Sequence, residues 1–172
     1  ITDKRKGIDY FIESSRVLAE RYPELKDELG IVVYGKDSEQ LKPLVPFQVY
    51  PLNYISNEKE LIDVYNSVDL FVTPSLEENL PNTIMEAMAC GIPCVGFQVG
   101  GIPEMIDHLH NGYVAEYKSV EDFANGIHWV LNEGEYKTLS EEACRKVSSS
   151  YSESAIAKRY IEVYNKVTGS NE

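Results

Sequence analysis

No run of apolar residues in this sequence approaches the roughly 20 needed to cross a bilayer as a helix. No signal-peptide pattern opens it either. A basic excess is missing too: 16 Lys and Arg stand against 28 Asp and Glu, for a formal net charge of −12. Nucleic-acid binding requires a basic footprint that displaces counterions, so that class is disfavoured. Docking on anionic lipid is disfavoured as well, because no helical segment carries a strongly basic face. Cysteine is scarce. Cys90, Cys94 and Cys144 leave an odd count with no metal-ligand spacing, and the expectation is free, mostly buried thiols in a reducing compartment. His108 and His110 form a His-x-His pair without other nearby ligands. A helix end, with Gly112 just past it, is the preferred reading over a metal site.

Missing motifs narrow the chemistry further. There is no Gly-x-Gly-x-x-Gly for a dinucleotide oxidoreductase and no Gly-x-x-x-x-Gly-Lys-Ser/Thr for a P-loop nucleotidase. The Gly-x-Ser-x-Gly elbow of an α/β hydrolase is absent. So is an Asp-x-Asp pair, which leaves a carboxylate-held divalent metal no obvious seat. No internal repeat or low-complexity tract interrupts the chain.

What is present is an ordinary globular composition, 43% hydrophobic and 26% charged over 172 residues, enough for one domain with a full core. The chain opens "ITDKRKG", without an initiator methionine, and is expected to be a piece of something longer. Residues 7–22 carry apolar side chains at helical spacing and end at Pro23. "GIVVYG" is a short β-branched run between glycines, the mark of a buried parallel strand, and "PFQVYPL" a second strand shortened by its prolines. A helix over "SNEKELIDVYNS", a strand "VDLFVTPS", a helix to Cys90 and a strand "PCVGFQV" follow. Then come a Gly-Gly turn, a short helix "PEMIDHLH", a strand near "GYVAEY" and a helix from Ser119 to Gly134 with a Ser119-x-x-Asp122 start. Two helices, near 140–149 and 153–167, close the chain. Alternating strands and helices predict a Rossmann-like three-layer α/β/α domain around a parallel sheet. Ligands in such sheets bind where strand ends lead into helices, and the segment after Thr73 is such a place.

That segment reads "PSLEENLPNTIMEAMACGIP". A helix N-terminus favours an anion, yet Glu78 precedes this one and Glu86 lies inside it. Glu86 shares a helix face with Asn82 and Thr83. It is read in three ways: a capping box back to the Thr83 amide, a solvated surface charge, or a carboxylate accepting from a diol such as a ribose. Glu78 is a solvated loop acid or a partner for sugar hydroxyls. Lys6, in "DKRKG", belongs to a solvated basic cluster or places an ammonium over a phosphate. The amides of Gly100 and Gly101 form a tight turn that could approach a ligand.

Together these residues resemble the C-terminal domain of the retaining GT-B glycosyltransferases. Glu78 to Glu86 matches the family's E-x7-E motif, followed by "AMACGIPCV" and "VGGIPEMI". "KRKGIDYFIESSRVL", "IVVYG" and "YISNEKELIDVYNSVDLFVTPS" fall in the family's order, so the likeness covers nearly all of residues 1–172. It implies one half of a GT-B fold, a single domain that binds a nucleotide-diphosphate sugar. Glu78 and Lys6 would be catalytic, with Glu78 on the donor sugar and Lys6 neutralising the leaving group. Glu86 would take the ribose. Asn79, Leu80, Asn82 and Thr83 would line the donor, the last two giving diphosphate amides, with Gly35 and Ile55 toward the nucleotide. Transfer of a hexosyl group with retention, to a glycan or lipid-linked acceptor, would need neither metal nor other cofactor. The N-terminal acceptor domain, and an arginine paired with Lys6, are expected upstream of residue 1, so the fragment alone should transfer no sugar. A cytoplasmic enzyme of polysaccharide synthesis, peripheral at the inner membrane face when full-length, is implied. The alternative is a non-catalytic nucleotide-sugar-binding or assembly module. A GT-B-like epimerase is disfavoured by the "ENLPNTIMEAMACG" context. One departure bears on the site: the commoner loop is Glu-Gly-Phe-Gly, whereas Glu78-Asn79-Leu80-Pro81 stands here, and Pro81 has no amide hydrogen.

Overall fold

The computed structural model describes residues 3–169. A 3-10 turn at Lys4–Lys6 leads through Gly7 into α1 (Ile8–Arg21), and a short α2 (Leu25–Glu28) precedes β1 (Gly30–Tyr34). After a 3-10 turn at Ser38–Leu41 come β2 (Gln48–Leu52), α3 (Glu58–Tyr65), β3 (Phe71–Thr73) and α4 (Asn82–Ala89). Then follow β4 (Cys94–Phe97), α5 (Ile102–Met105), β5 (Gly112–Ala115), α6 (Val120–His128), α7 (Tyr136–Ser150) and α8 (Glu153–Thr168). The Lys4–Lys6, Leu25–Glu28 and Ser38–Leu41 turns are too short to show a periodicity in the sequence.

Among the described residues, all strand pairs are parallel. β1 pairs with β2, Ile31 opposite Val49. β4 lies between β3 and β5, with Val72 opposite Val95 and Val95 opposite Tyr113. The parallel sheet is thus present as two ladders, of two and three strands. A cavity of about 470 Å³ lies between them, lined by Ile31, Val32 and Tyr34 of β1 and by Phe71 and Val72 of β3. Among the described residues, no hydrogen-bonded pairing joins β1 to β3 across it.

The period-two alternation of strand side chains divides the core. On one face of β4, Val95 and Phe97 join Phe11 and Leu18 of α1 and Phe123 and Ile127 of α6. On the other, Cys94 joins Ile84 and Met88 of α4, Met105 of α5 and Ala143 of α7. Helices therefore cover both faces, as the apolar, β-branched strands require. Each buried Val, Leu, Ile, Phe or Met side chain contributes about 1.5–3 kcal/mol by leaving water. Ser14, fully buried in α1, satisfies its hydroxyl on the Tyr10 and Val120 carbonyls (2.7 and 3.0 Å), which ties α1 to α6.

Two caps follow the sequence. Asn57 accepts from the Lys59 amide at 2.9 Å, and Ser119 from the Asp122 amide at 3.2 Å. Asp122 does not return the bond; it accepts from the Tyr113 hydroxyl and the Glu116 amide instead. The helix expected from Ser119 to Gly134 loses its α register at Trp129–Glu133, where it widens to a π turn closed by the Gly134 amide on the Trp129 carbonyl (2.8 Å).

The short helix before β5 ends at Met105, capped at Ile106, so His108 and His110 are not at a helix end. His108 Nδ1 accepts from the Val114 amide at 3.1 Å, and its ring meets Tyr113 edge-on. The buried Asn111 breaks the helix: its side-chain carbonyl takes the Asp107 amide at 2.9 Å. Among the three thiols, Cys94 alone is buried, and burial pushes its pKa up; Cys90 is half-buried and Cys144 exposed.

Candidate functional site

Gly7 brings the basic turn to the carboxyl end of β3. Its φ of 63° is left-handed, and a Cβ there would overlap the Pro74 carbonyl. The Leu76 amide donates to the Arg5 carbonyl at 2.7 Å, fixing the turn on the loop after β3. Lys6 then reaches Glu78, Nζ to Oε1 at 2.7 Å, the ammonium exposed and the carboxylate 15% exposed. Arg5 folds back on Asp3 (2.8 Å), and this hydrogen-bonded guanidinium holds the Asp3 carboxyl below its usual range. Lys6, Glu77, Glu78, Asn79 and Gly100 line an open cleft of about 600 Å³.

The Gly-Gly turn seats this loop. Gly100 has φ 54°, and a Cβ there would overlap the Glu78 carbonyl; a Cβ on Gly101 would overlap that of Asn79. The Gly101 amide donates to the Asn79 carbonyl at 2.6 Å. That amide is therefore not free to meet a ligand, which corrects the expectation for Gly101: the glycines admit the loop backbone closely.

α4 begins at Asn82 with the buried Pro81 as N-cap, and no side chain caps it. Ile84 donates to the Pro81 carbonyl at 3.1 Å, while the Asn82 and Thr83 amides find no acceptor among the described residues. Two orphan donors at a positively polarised helix end are what an anion requires. The capping box read for Thr83 and Glu86 does not form. Proline occupies the N-cap, and Glu86 Oε2 instead accepts from the Tyr65 hydroxyl at 3.0 Å. Tyr65 also lies 3.5 Å from the Thr83 carbonyl and 3.3 Å from the Tyr34 hydroxyl.

The structure thus gathers the predicted residues into two groups joined by a loop and a helix end. Lys6, Glu78 and Asn79 line the cleft; Asn82, Thr83 and Glu86 lie on the first turns of α4. Leu80 is exposed beside Pro81. Gly35, φ 109°, follows β1 with open space where a Cβ would sit. Ile55 lies half-buried in the loop before α3, outside both core clusters. Sequence reasoning does not single out Tyr34 and Tyr65, because an apolar-face tyrosine looks like core and Glu86 lies 21 positions beyond Tyr65. Among the described residues, no group of three or more His, Cys, Asp or Glu converges as a metal site. No helix among them is long and apolar enough to cross a membrane.

Parallel strands covered by helices, with a loop-to-helix site at the strand ends, define a Rossmann-like α/β domain of the GT-B glycosyltransferase kind. Residues 2–147 match the family model described as Glycosyl transferases group 1. The chain belongs to that family. It is 31% identical over 149 residues to an uncharacterized glycosyltransferase of Haemophilus influenzae, covering 85% of this chain and 42% of that one. It is 26% identical over 164 residues to the N,N'-diacetylbacillosaminyl-diphospho-undecaprenol alpha-1,3-N-acetylgalactosaminyltransferase of Campylobacter jejuni, covering 94% and 42%. The chain thus spans less than half the length of these curated relatives. Among solved structures, Anabaena HepE in complex with UDP superposes with a TM-score of 0.74 at 21% identity, covering 95% of this chain and 46% of that one. The C-terminal domain of a group 1 glycosyl transferase of Francisella tularensis gives 0.66 at 23% identity, covering 88% and 82%. At these identities the likeness to solved structures is one of fold.

Proposed function

We propose that this chain is the donor-binding half of a glycosyltransferase that moves a hexosyl group from a nucleotide-diphosphate sugar to a glycan or lipid-linked acceptor. The observation that carries the proposal is the unpartnered pair of amides on Asn82 and Thr83, flanked by Glu78 on one side and Glu86 on the other. A diphosphate on those amides leaves each carboxylate to a neutral, hydroxyl-bearing neighbour, since a carboxylate repels phosphate and accepts from a diol. Glu78 takes donor-sugar hydroxyls and Glu86 the ribose 2′- and 3′-hydroxyls. Gly35 and Ile55 face the nucleotide. Campylobacter jejuni and Haemophilus influenzae relatives named as sugar transferases support the reading.

In the proposed reaction the bond from the anomeric carbon to the β-phosphate oxygen breaks. A bond to the acceptor hydroxyl forms on the same face, and the hydroxyl proton leaves with the departing diphosphate. The helix-end amides and the Lys6 ammonium stabilise the charge developing on that diphosphate. Lys6 must exchange its Glu78 partner for phosphate, which also frees Glu78 for the sugar. Metal is not required by this scheme, and EDTA should leave donor binding unchanged. The acceptor site belongs to a further, N-terminal domain, and the enzyme works in the cytoplasm. Calorimetric titration of the chain with UDP, GDP and ADP sugars tests the donor assignment. One nucleotide should bind, and Glu86→Ala should weaken it about tenfold, the scale of hydrogen bonds to a charged group. Equal binding of every nucleotide by Glu86→Ala and the parent would remove the ribose assignment.

A further inference from the structure

We infer that Tyr65, with Tyr34 behind it, is a positioning residue that holds Glu86 in the orientation in which it receives the ribose; the inference rests on the ribose role proposed for Glu86. Tyr65 ends α3 and is 2% exposed, whereas Glu86 stands exposed on α4. A hydroxyl carries one proton, and three acceptors surround this one: Glu86 Oε2 at 3.0 Å, the Thr83 carbonyl at 3.5 Å and the Tyr34 hydroxyl at 3.3 Å. The carboxylate is the shortest and the charged partner, so it takes the proton. Tyr34 then donates to Tyr65. The result is a directed chain from Tyr34 through Tyr65 to Glu86, in which each bond polarises the next.

Several features keep Tyr65 a donor. Burial, then the Tyr34 hydrogen bond and the charges of Tyr34 and Glu86, raise its pKa far above the ordinary tyrosine range. Its ring is fixed edge-on against Phe71 of β3, centroids 5.9 Å apart. A free glutamate on a helix surface samples many rotamers and loses that freedom when a ligand fixes it. Here Oε2 is tied beforehand, and no described residue donates to Oε1, which stays available for ligand hydroxyls. A second consequence follows from the fold. Tyr34 ends β1 and Tyr65 packs on β3, so the relay spans the cavity between the two strand ladders.

A purely structural tyrosine would change stability without changing which sugar is recognised. The test therefore reads selectivity. The tightest-binding of UDP, GDP and ADP, and its 2′,3′-dideoxy analogue, are titrated calorimetrically into the parent chain, Tyr65→Phe and Tyr34→Phe, with folding checked by thermal melting. The parent should prefer the ribonucleotide about tenfold or more, and Tyr65→Phe should cut that preference about fivefold while dideoxy affinity stays put. Tyr34→Phe, which breaks only the outer bond, should cut it about twofold. Should Tyr65→Phe fail to fold, the Tyr34→Phe ratio decides alone. An unchanged preference, or equal weakening of both ligands, overturns the positioning role. A parent that does not discriminate at all removes the ribose role of Glu86, and the inference with it.

Discussion

The three-stranded ladder and the two-stranded ladder are both parallel but are packed very differently. Every residue of β4 is buried, with Cys94, Val95 and Phe97 at 0% exposure. In β1 none is buried, and in β2 only Val49 is. Helices pack on both faces of β4, whereas β1 faces the cavity along one edge and pairs with the edge strand β2 along the other. The division matches the division of labour proposed above. The proposed sugar contact, Glu78, sits on the loop after β3, which Gly7, Gly100 and Gly101 approach closely, and the proposed diphosphate amides open α4. Gly35 and Ile55, proposed to face the nucleotide, follow the less buried strands β1 and β2. Electrostatic stabilisation of a leaving group needs donors held in place beforehand, and the closely packed half supplies that. A half with fewer buried strand residues would leave room to adjust to a base, and the proposed Tyr34–Tyr65–Glu86 relay would couple the two.

Substitutions can break the contrast. The largest effect is expected from Phe97→Ala, about 3–5 kcal/mol of unfolding free energy. Ile31→Ala, at a half-buried position, should cost about 1–2 kcal/mol. Urea denaturation of both variants measures the difference, and equal losses would erase the distinction between the ladders. Next comes a glycine pair. Gly100→Ala places a Cβ on the Glu78 carbonyl in a left-handed conformation and should cost about 3 kcal/mol or more, with loss of nucleotide binding. Gly35→Ala meets open space and should cost only the roughly 1–3 kcal/mol of its positive φ.

A smaller effect is set by pH. Burial, then the hydrogen bond to Asp122 at 2.8 Å and the charges of Asp122 and Glu133, push the Tyr113 pKa up to about 12. The folded-state value lies above the unfolded one, so this stabilisation is complete below about pH 10 and is lost as pH rises to about 12. Melting temperatures measured from pH 8 to 12 should fall in that window, and Tyr113→Phe should flatten the fall. The smallest effect belongs to exposed pairs: Lys42→Ala, which removes the contact with Glu39 at 2.7 Å, should change stability by less than about 0.5 kcal/mol.

Most of the frame was legible because it rests on local signals. A β-branched run between glycines gave β1, short apolar runs gave the other strands, and Asn57 and Ser119 gave two helix starts. What escaped was non-local. Nothing near Glu86 in sequence says that Tyr65, 21 positions earlier, takes its carboxylate, so the capping box was a reasonable local guess. The Gly100–Gly101 turn was seen as a turn, but its fit to the loop around Glu78 and Asn79 depends on tertiary approach of two segments. The split between ladders was likewise hidden, since strand composition does not tell which edges meet.

Amide chemical-shift mapping tests the proposed diphosphate seat on the Asn82 and Thr83 amides directly. Titrating the labelled chain with its tightest nucleoside diphosphate should shift the Asn82 and Thr83 amides most strongly, with Glu78 and Gly100 next. Saturable binding that leaves those two amides unmoved and shifts residues elsewhere would contradict it.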